Sequence, residues 1–241
     1  MGPDEAMRQD DPETVRREYS DETGLAARAS LWALRGGPQP LDVAFAELVA
    51  VAPSRVLEVG SGRGEFSERL VGSGIEVVAV DQSPRMVELT AARGIDARVG
   101  DVQELAFDAG DFDAAAANFM LYHVPSLDRA LSELARVLRP GGRLVAATNG
   151  VRQLAEVWEL AGRDLTDRWS LFMAETGEDL LRPHFVDVRR IDLESTVELS
   201  FEEMRNYVAH SVAHRHLADR IASFEGSRTV TTSSAVFVAT V

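Results

Sequence analysis

Apolar positions along the chain switch between two spacings. Leu41, Ala44, Phe45, Leu48 and Val49 recur at intervals of three and four, which predicts an amphipathic helix stopped by Pro53. Short apolar runs then alternate with helical segments. Val56–Val59 predicts a strand running into glycines, residues 65–72 a helix with Phe66 and Leu70 inward, and Val77–Val80 a second strand. Ser83 and Pro84 open a helix through Ala92 as N-cap and first-turn proline, and Gly94 ends it. Strands at 95–99 and 112–119 follow. A helix over 126–138 is closed by Pro140-Gly141-Gly142, and Leu144–Ala147 is a fifth strand. Short buried strands separated by helices predict a parallel sheet covered on both faces.

The flanks are less regular. Residues 1–13 are acidic and poor in apolar side chains, which predicts a disordered tail. Residues 14–34 predict one or two helices carrying Tyr19, Arg28 and Trp32, and Gly36–Pro40 is a break. After the fifth strand, helices are predicted over 151–163, 176–182 and 200–224, and strands over Phe185–Leu193 and Thr229–Val241. The whole reads as a single domain over 14–241. Residues 41–150 form its ligand-binding core, and 14–40, 151–183 and 195–228 are cap elements.

Composition narrows the chemistry. The 241 residues include no Cys, and every basic residue is Arg, so thiol nucleophiles, Cys-ligated metals, Schiff-base lysines and a lysine-bearing phosphate loop are excluded. The net charge of −14 disfavours nucleic-acid duplexes and anionic membranes as partners. No apolar run approaches the ~18 residues needed to span a bilayer. The acidic N-terminus resembles no targeting peptide, so a cytoplasmic protein with no membrane partner is expected.

The informative segment is Glu58-Val59-Gly60-Ser61-Gly62-Arg63-Gly64, at the end of the first strand. Its glycines allow a sharp turn and close approach of a ligand to the backbone. The second strand ends in Asp81, placed to accept both ribose hydroxyls of a nucleoside. A dinucleotide fingerprint would place glycine at 65, but that residue is Glu, which repels a pyrophosphate. The third strand ends in Gly100-Asp101-Val102, where a carboxylate and the next N–H suit an exocyclic amine and a ring nitrogen. These features outline an adenosine site without phosphates, beside an acid suited to a cation.

In order, VLEVGSGRG, VVAVDQSPRMVELTAARG, VGDVQELAF, FDAAAANFMLYHV and LSELARVLRPGGRLVAAT resemble the motifs of class I S-adenosylmethionine-dependent methyltransferases of the small-molecule "methyltransferase domain" type, over residues 55–149. The resemblance implies a Rossmann-like, doubly wound α/β fold. Its seven strands would be ordered 3-2-1-4-5-7-6 with strand 7 antiparallel, and N-terminal helices and helical insertions would cover the site. It implies S-adenosyl-L-methionine as cofactor, S-adenosyl-L-homocysteine as product and a small-molecule acceptor. Gly60, Ser61 and Gly62 would then contact the methionyl part and Glu58 its amino group. Asp81 would hold the ribose, Gln82 and Met86 would flank the adenine, and Asp101 and Val102 would bind its edge. Asn118 and Phe119 would line the transfer mouth, and Tyr19 and Arg28 would cover the cofactor. The place where base-directed amino-methyltransferases carry Asn-Pro-Pro-aromatic reads Asn118-Phe119-Met120-Leu121, which argues against nucleic-acid substrates.

Other residues carry two readings each. His123 is a general base or a packing histidine. His210 and His214 share a helical face suited to a metal or simply to solvent, without an evident third ligand, so no metal is expected. Phe201, Met204, Tyr207, Trp158, Trp169 and Phe172 are an aromatic wall over an apolar acceptor or ordinary packing. A protein or RNA methyltransferase, a non-catalytic S-adenosylmethionine-binding protein and, more distantly, a nicotinamide oxidoreductase remain open, as does a monomer or a homodimer.

Overall fold

The structure, a computed structural model, describes residues 10, 11, 13, 15, 17, 34–166, 168, 171–211 and 214–241. Its elements in chain order are α1 (Pro40–Val49), β1 (Arg55–Val59), α2 (Glu65–Val71), β2 (Glu76–Asp81), α3 (Pro84–Ala91), β3 (Asp96–Val99) and β4 (Phe112–Asn118). A 3-10 turn at Leu121–His123 leads to α4 (Leu127–Val137) and β5 (Leu138–Asn149), followed by α5 (Ala155–Leu160) and α6 (Gly177–Leu181). Then come β6 (Asp187–Ser200), α7 (Phe201–Ala209), a 3-10 turn at Arg215–Arg220 and β7 (Ser227–Thr240).

The seven strands form one sheet in the order β3-β2-β1-β4-β5-β7-β6. The pairings of β1 with β2 and β4, β2 with β3 and β4 with β5 are parallel, and β7 runs antiparallel to both β5 and β6. This is the expected doubly wound Rossmann-like topology. The alternating period of the strands divides the core. Ala44 and Leu48 of α1 and Phe66 and Leu70 of α2 pack on Val56, Ala116, Val145 and Ala147 of one face. Ala130, Leu131, Leu134 and Val137 of α4 pack on Leu57, Ala115, Leu144 and Ala146 of the other.

Four predicted boundaries are corrected. The helix expected over 151–163 is confined to Ala155–Leu160, because Leu154 takes a left-handed φ of 56° and donates its N–H to Thr231 O. The segment before α5 therefore bonds to β7 and not to itself. The break expected at 140–142 is a register irregularity within β5: Phe112 pairs with Leu138, and Ala114 already pairs with Arg143. β6 runs seven residues beyond Leu193, since Val197 and Leu199 stay buried while Glu194 and Glu198 point outward. Finally, the helix expected over 200–224 stops at Ala209, with His210 as its C-cap. Met204 and Val208 lie on its buried stripe, but Leu217 is nine residues past Val208, about half a turn away on a continuous helix. The chain must reverse to bring Leu217, Ala218 and Ile221 into the same cluster, which includes Trp158, Val197 and Val230.

Candidate functional site

A cavity of about 740 Å³ opens at the carboxyl ends of β1, β2, β4 and β5. This is where ligands bind in open α/β sheets, beside the reversal of strand order. Its wall includes Glu58, Gly60, Ser61, Gly62, Asp81, Gln82, Asp101, Val102, Asn118, Phe119 and His123, so eleven of the expected positions meet at one place.

The glycine turn carries the first discriminating geometry. Gly60 N and Ser61 N both donate to Val80 O, at 2.7 and 3.4 Å, and Gly62 N donates to Asp81 Oδ2 at 2.9 Å. The turn's amides are therefore spent on β2. It is not a nest of free N–H groups for a phosphate. Gly60, at φ 67°, lets the β4 loop close in: a Cβ there would lie 2.7 Å from Met120 Cβ. At Gly62, φ 55°, a Cβ would meet nothing within 4 Å, so this side of the turn faces open space.

Glu58 is 2 % exposed, and its carboxylate accepts from the Ser67 hydroxyl of α2. Burial, aided by repulsion from Asp81, pushes its carboxyl up to about 8, against the lowering effect of Ser67. A buried acid without a cation wants one. Asp81 is also held up by burial, against backbone donors at Ser83, Gly62 and Gln82; Ser83 N lies 2.9 Å from Oδ1. These bonds leave lone-pair capacity on that carboxylate for a ligand's hydroxyl. Asp101 accepts from Gln103 N at 2.9 Å, and Gln103 Nε2 lies within 3.0 Å of its oxygens. Gln103 lines the cavity as well and had no distinguishing mark in the sequence.

Among the described residues, one expected position is not in the wall. Met86 is fully buried, because α3 turns Met86 and Thr90 inward one turn apart; its backbone caps onto Ser83 Oγ, so it lies beneath the cavity and not in its wall. Tyr19 and Arg28 lie outside the described residues. Val15, of the same N-terminal region, is 2 % exposed and lines the cavity.

Beyond the glycine turn the wall continues through Tyr122, Asn149, Gln153 and Tyr207. Asn149 sits at the end of β5, where the carboxyl-end rule pointed; Gln153 gave no signal. Of the aromatic residues expected in an acceptor wall, Tyr207 takes part. Trp158 instead packs inside the cap between Tyr207 and His214, at centroid distances of 5.8 and 5.1 Å, and Phe172 packs on Phe237 in the main core. Trp169 is outside the described residues. The two histidines read as a possible metal pair are separated by the helix end. His210 Nδ1 lies 2.7 Å from Asn206 O, and His214 accepts from Arg163 Nε at 2.7 Å. Burial and Arg163 push His214 down to about 3, so it is neutral. Among the described residues no group of three His, Cys, Asp or Glu could hold a metal, and no helix is long and apolar enough to cross a membrane.

The donor set fits S-adenosylmethionine: an unpaired buried acid for an ammonium, a buried Ser61 Oγ with no partner, and acids at the ends of β2 and β3. The comparisons agree. Residues 57–146 match the family model described as a methyltransferase domain. A ubiquinone biosynthesis O-methyltransferase of Xanthomonas oryzae is 36% identical over 140 residues, covering 52% of this chain and 58% of that protein. An uncharacterized methyltransferase of Mycobacterium tuberculosis is 36% identical over 165 residues, covering 65% of this chain and 66% of that protein. The chain thus spans a little over half the length of the first of these relatives. A phosphoethanolamine N-methyltransferase 2 of Haemonchus contortus, solved with phosphomonomethylethanolamine and S-adenosylhomocysteine, superposes with a TM-score of 0.61 at 18% identity. The match covers 95% of this chain and 60% of that one. Residues 57–146 carry a methyltransferase domain, and there the chain is similar to class I S-adenosylmethionine-dependent methyltransferases.

Proposed function

We propose that the protein transfers a methyl group from S-adenosylmethionine to a small-molecule acceptor by direct displacement. The observation that carries this reading is the continuity of the cavity. It runs from Glu58 and Asp81, past Asn118 and Phe119, to Tyr122, Gln153 and Tyr207, so two ligands can meet at the end of β4.

Bound there, the cofactor supplies a methyl group already activated on a sulfonium, and the transfer leaves S-adenosylhomocysteine. The chain's own work is placement. Glu58, ionised, would accept from the ammonium of the methionyl part, and the open face of Gly62 would leave room for that part. Asp81 accepts the ribose hydroxyls. Asp101 and the Val102 N–H take the adenine edge, and Gln82 flanks the ring. Phe119, held at φ 55° with its N–H on Ala147 O at 2.8 Å, ends β4 sharply and turns the chain across the transfer mouth. Holding acceptor and methyl in line supplies most of what such a displacement needs. His123 is the one imidazole lining the cavity among the described residues, which supports it as the group that takes the proton an attacking hydroxyl releases. The O-methyltransferase named among the relatives supports an oxygen acceptor. The −14 charge and the walled cavity support a small molecule over RNA or a protein tail. Residues 14–40, 151–183 and 195–228 are the parts that shape the acceptor end, in a protein working in the cytoplasm.

Calorimetric titration tests the cofactor. S-adenosylhomocysteine is expected to bind in the micromolar range and to lose at least tenfold in Asp81→Asn, which keeps the side chain's shape. Binding of a nicotinamide dinucleotide with no binding of S-adenosylhomocysteine overturns the reading. Binding without transfer to any acceptor in a broad phenol and amine screen points to the non-catalytic alternative.

A further inference from the structure

Val56, Ala116 and Ala147 share one face of the sheet, and the two-residue period of a strand puts Glu58, Asn118 and Asn149 on that face too. A row of polar side chains therefore crosses the ends of β1, β4 and β5, beneath the cavity. Only the first of the three is ionisable. Asn118 buries both Oδ1 and Nδ2, and Asn149 buries Oδ1, without a protein partner.

Gln153 adds a donor whose identity is fixed. β5 ends opposite Ser234, so the Ser233 N–H at the exposed side of β7 has no strand to pair with. Gln153 Oε1 accepts from it at 2.7 Å. The other amide atom must then be Nε2. It bonds to no protein group, although Gln153 is only 4 % exposed and lines the cavity. A donor that faces the cavity and is used by no protein group is open to a ligand atom that accepts.

We propose that Asn118, Asn149 and Gln153 select an uncharged aromatic acceptor carrying oxygen substituents, with Gln153 Nε2 donating to one of those oxygens. The proposal rests on the methyltransferase reading and names its acceptor class. Three neutral amides offer donors and acceptors together, matching hydroxyl and carbonyl groups, but no full charge to balance an ammonium or a carboxylate. The charged residues of the wall are placed elsewhere. Arg69 is bound to Asp42 at 2.6 Å, and Arg63 to Glu65, both toward the exterior. Phe119, Tyr122 and Tyr207 supply ring faces and edges for a flat molecule.

The test measures binding of three probes to the protein saturated with S-adenosylhomocysteine: catechol, 2-phenylethylamine and benzoate. Catechol is expected to bind at least tenfold more tightly than the other two. Gln153→Glu preserves the acceptor for Ser233 and turns the remaining donor into an acceptor. It is expected to weaken catechol at least tenfold, to leave S-adenosylhomocysteine within twofold, and to bring 2-phenylethylamine level with catechol or above it. Benzoate or 2-phenylethylamine favoured by the wild type, no catechol binding, or equal catechol affinity in Gln153→Glu each overturns the proposal. Failure of the wild type to bind S-adenosylhomocysteine instead strikes the cofactor reading. Catechol bound but never methylated strikes the transfer step and leaves the recognition result standing.

Discussion

Replacing Glu58 by Gln isolates the charge that the site holds in reserve. With its carboxyl near 8, Glu58 is mostly protonated at neutral pH. At pH 7 most of the group is protonated, and ionising it there costs about 1 kcal/mol. A charge-assisted hydrogen bond to a ligand ammonium returns about 1.5–3 kcal/mol. The net gain from Glu58 is then small at pH 7, and it approaches the full ~1.5–3 kcal/mol at pH 9, where the ionisation cost is nearly gone. The wild type should therefore bind S-adenosylhomocysteine about tenfold more tightly at pH 9 than at pH 7, relative to Glu58→Gln, with a plateau above pH 8. Calorimetry in two buffers of different ionisation heat counts the protons directly. The difference between the two proteins should be release of most of one proton at pH 7 and of little at pH 9. Comparing two proteins with one ligand cancels the ligand's own titration. Parallel affinity–pH curves with identical proton release would falsify the claim that Glu58 gives up its proton to the cofactor.

The same buried groups set the stability of the protein without ligand. Glu58 is raised above its unfolded value of 4.5, so the folded state holds its proton longer, and stability falls as pH rises from about 4.5 through 8. Glu58→Gln removes this loss, by up to about 5 kcal/mol at pH 8, so its melting temperature should exceed the wild type's there and converge with it near pH 4.5. His214 acts in the opposite direction: lowered to about 3, it costs stability as pH falls below about 6.5, and His214→Gln should flatten that acid limb in thermal melts. Gly60→Ala should lose about 2–4 kcal/mol in urea unfolding, from a left-handed backbone and collision with Met120; Met120→Gly, which removes the colliding Cβ, should recover the collision part only. His123→Gln should reduce the rate on catechol by ~10²-fold or more and remove the rising limb of the pH–rate profile, whereas an unchanged rate at neutral pH excludes it as the base.

The sheet and the cofactor side were legible because each depends on short-range signals. Five apolar runs with glycine, Asp or Asn at their carboxyl ends define both the strands and the acids they present. What escaped the sequence depends on partners distant along the chain. Nothing near Gln153 says that its amide will satisfy Ser233 on β7, or that Glu156 will accept from the Thr231 N–H and hydroxyl. The segment reads as a helix because its apolar spacing is helical, and β7 overrides that propensity with better bonds. Met86 lies beneath the wall for the converse reason: a family motif places the residue but not the direction in which α3 turns it. The continuation of β6 was readable, since Leu193, Val197 and Leu199 keep the two-residue period, but Phe201 and Met204 resumed a helical spacing and drew the boundary early.

β6 and β7 stay paired from Asp187 with Thr240 to Ser200 with Ser227, well past the last β5 partner of β7 at Ser234. Seen as engineering, this pair is a cantilever: one end is built into the sheet, and the other carries the small hydrophobic cluster of Trp158, Val197, Leu199 and Val230. Everything between Ser200 and Ser227 is, topologically, the loop of a hairpin. Its length can change at the slowly growing cost of loop closure while the strand register and the cofactor acids stay where they are. A scaffold of this kind lets acceptor range diversify through the tip of one arm, including Tyr207, independently of the machinery that holds the methyl donor.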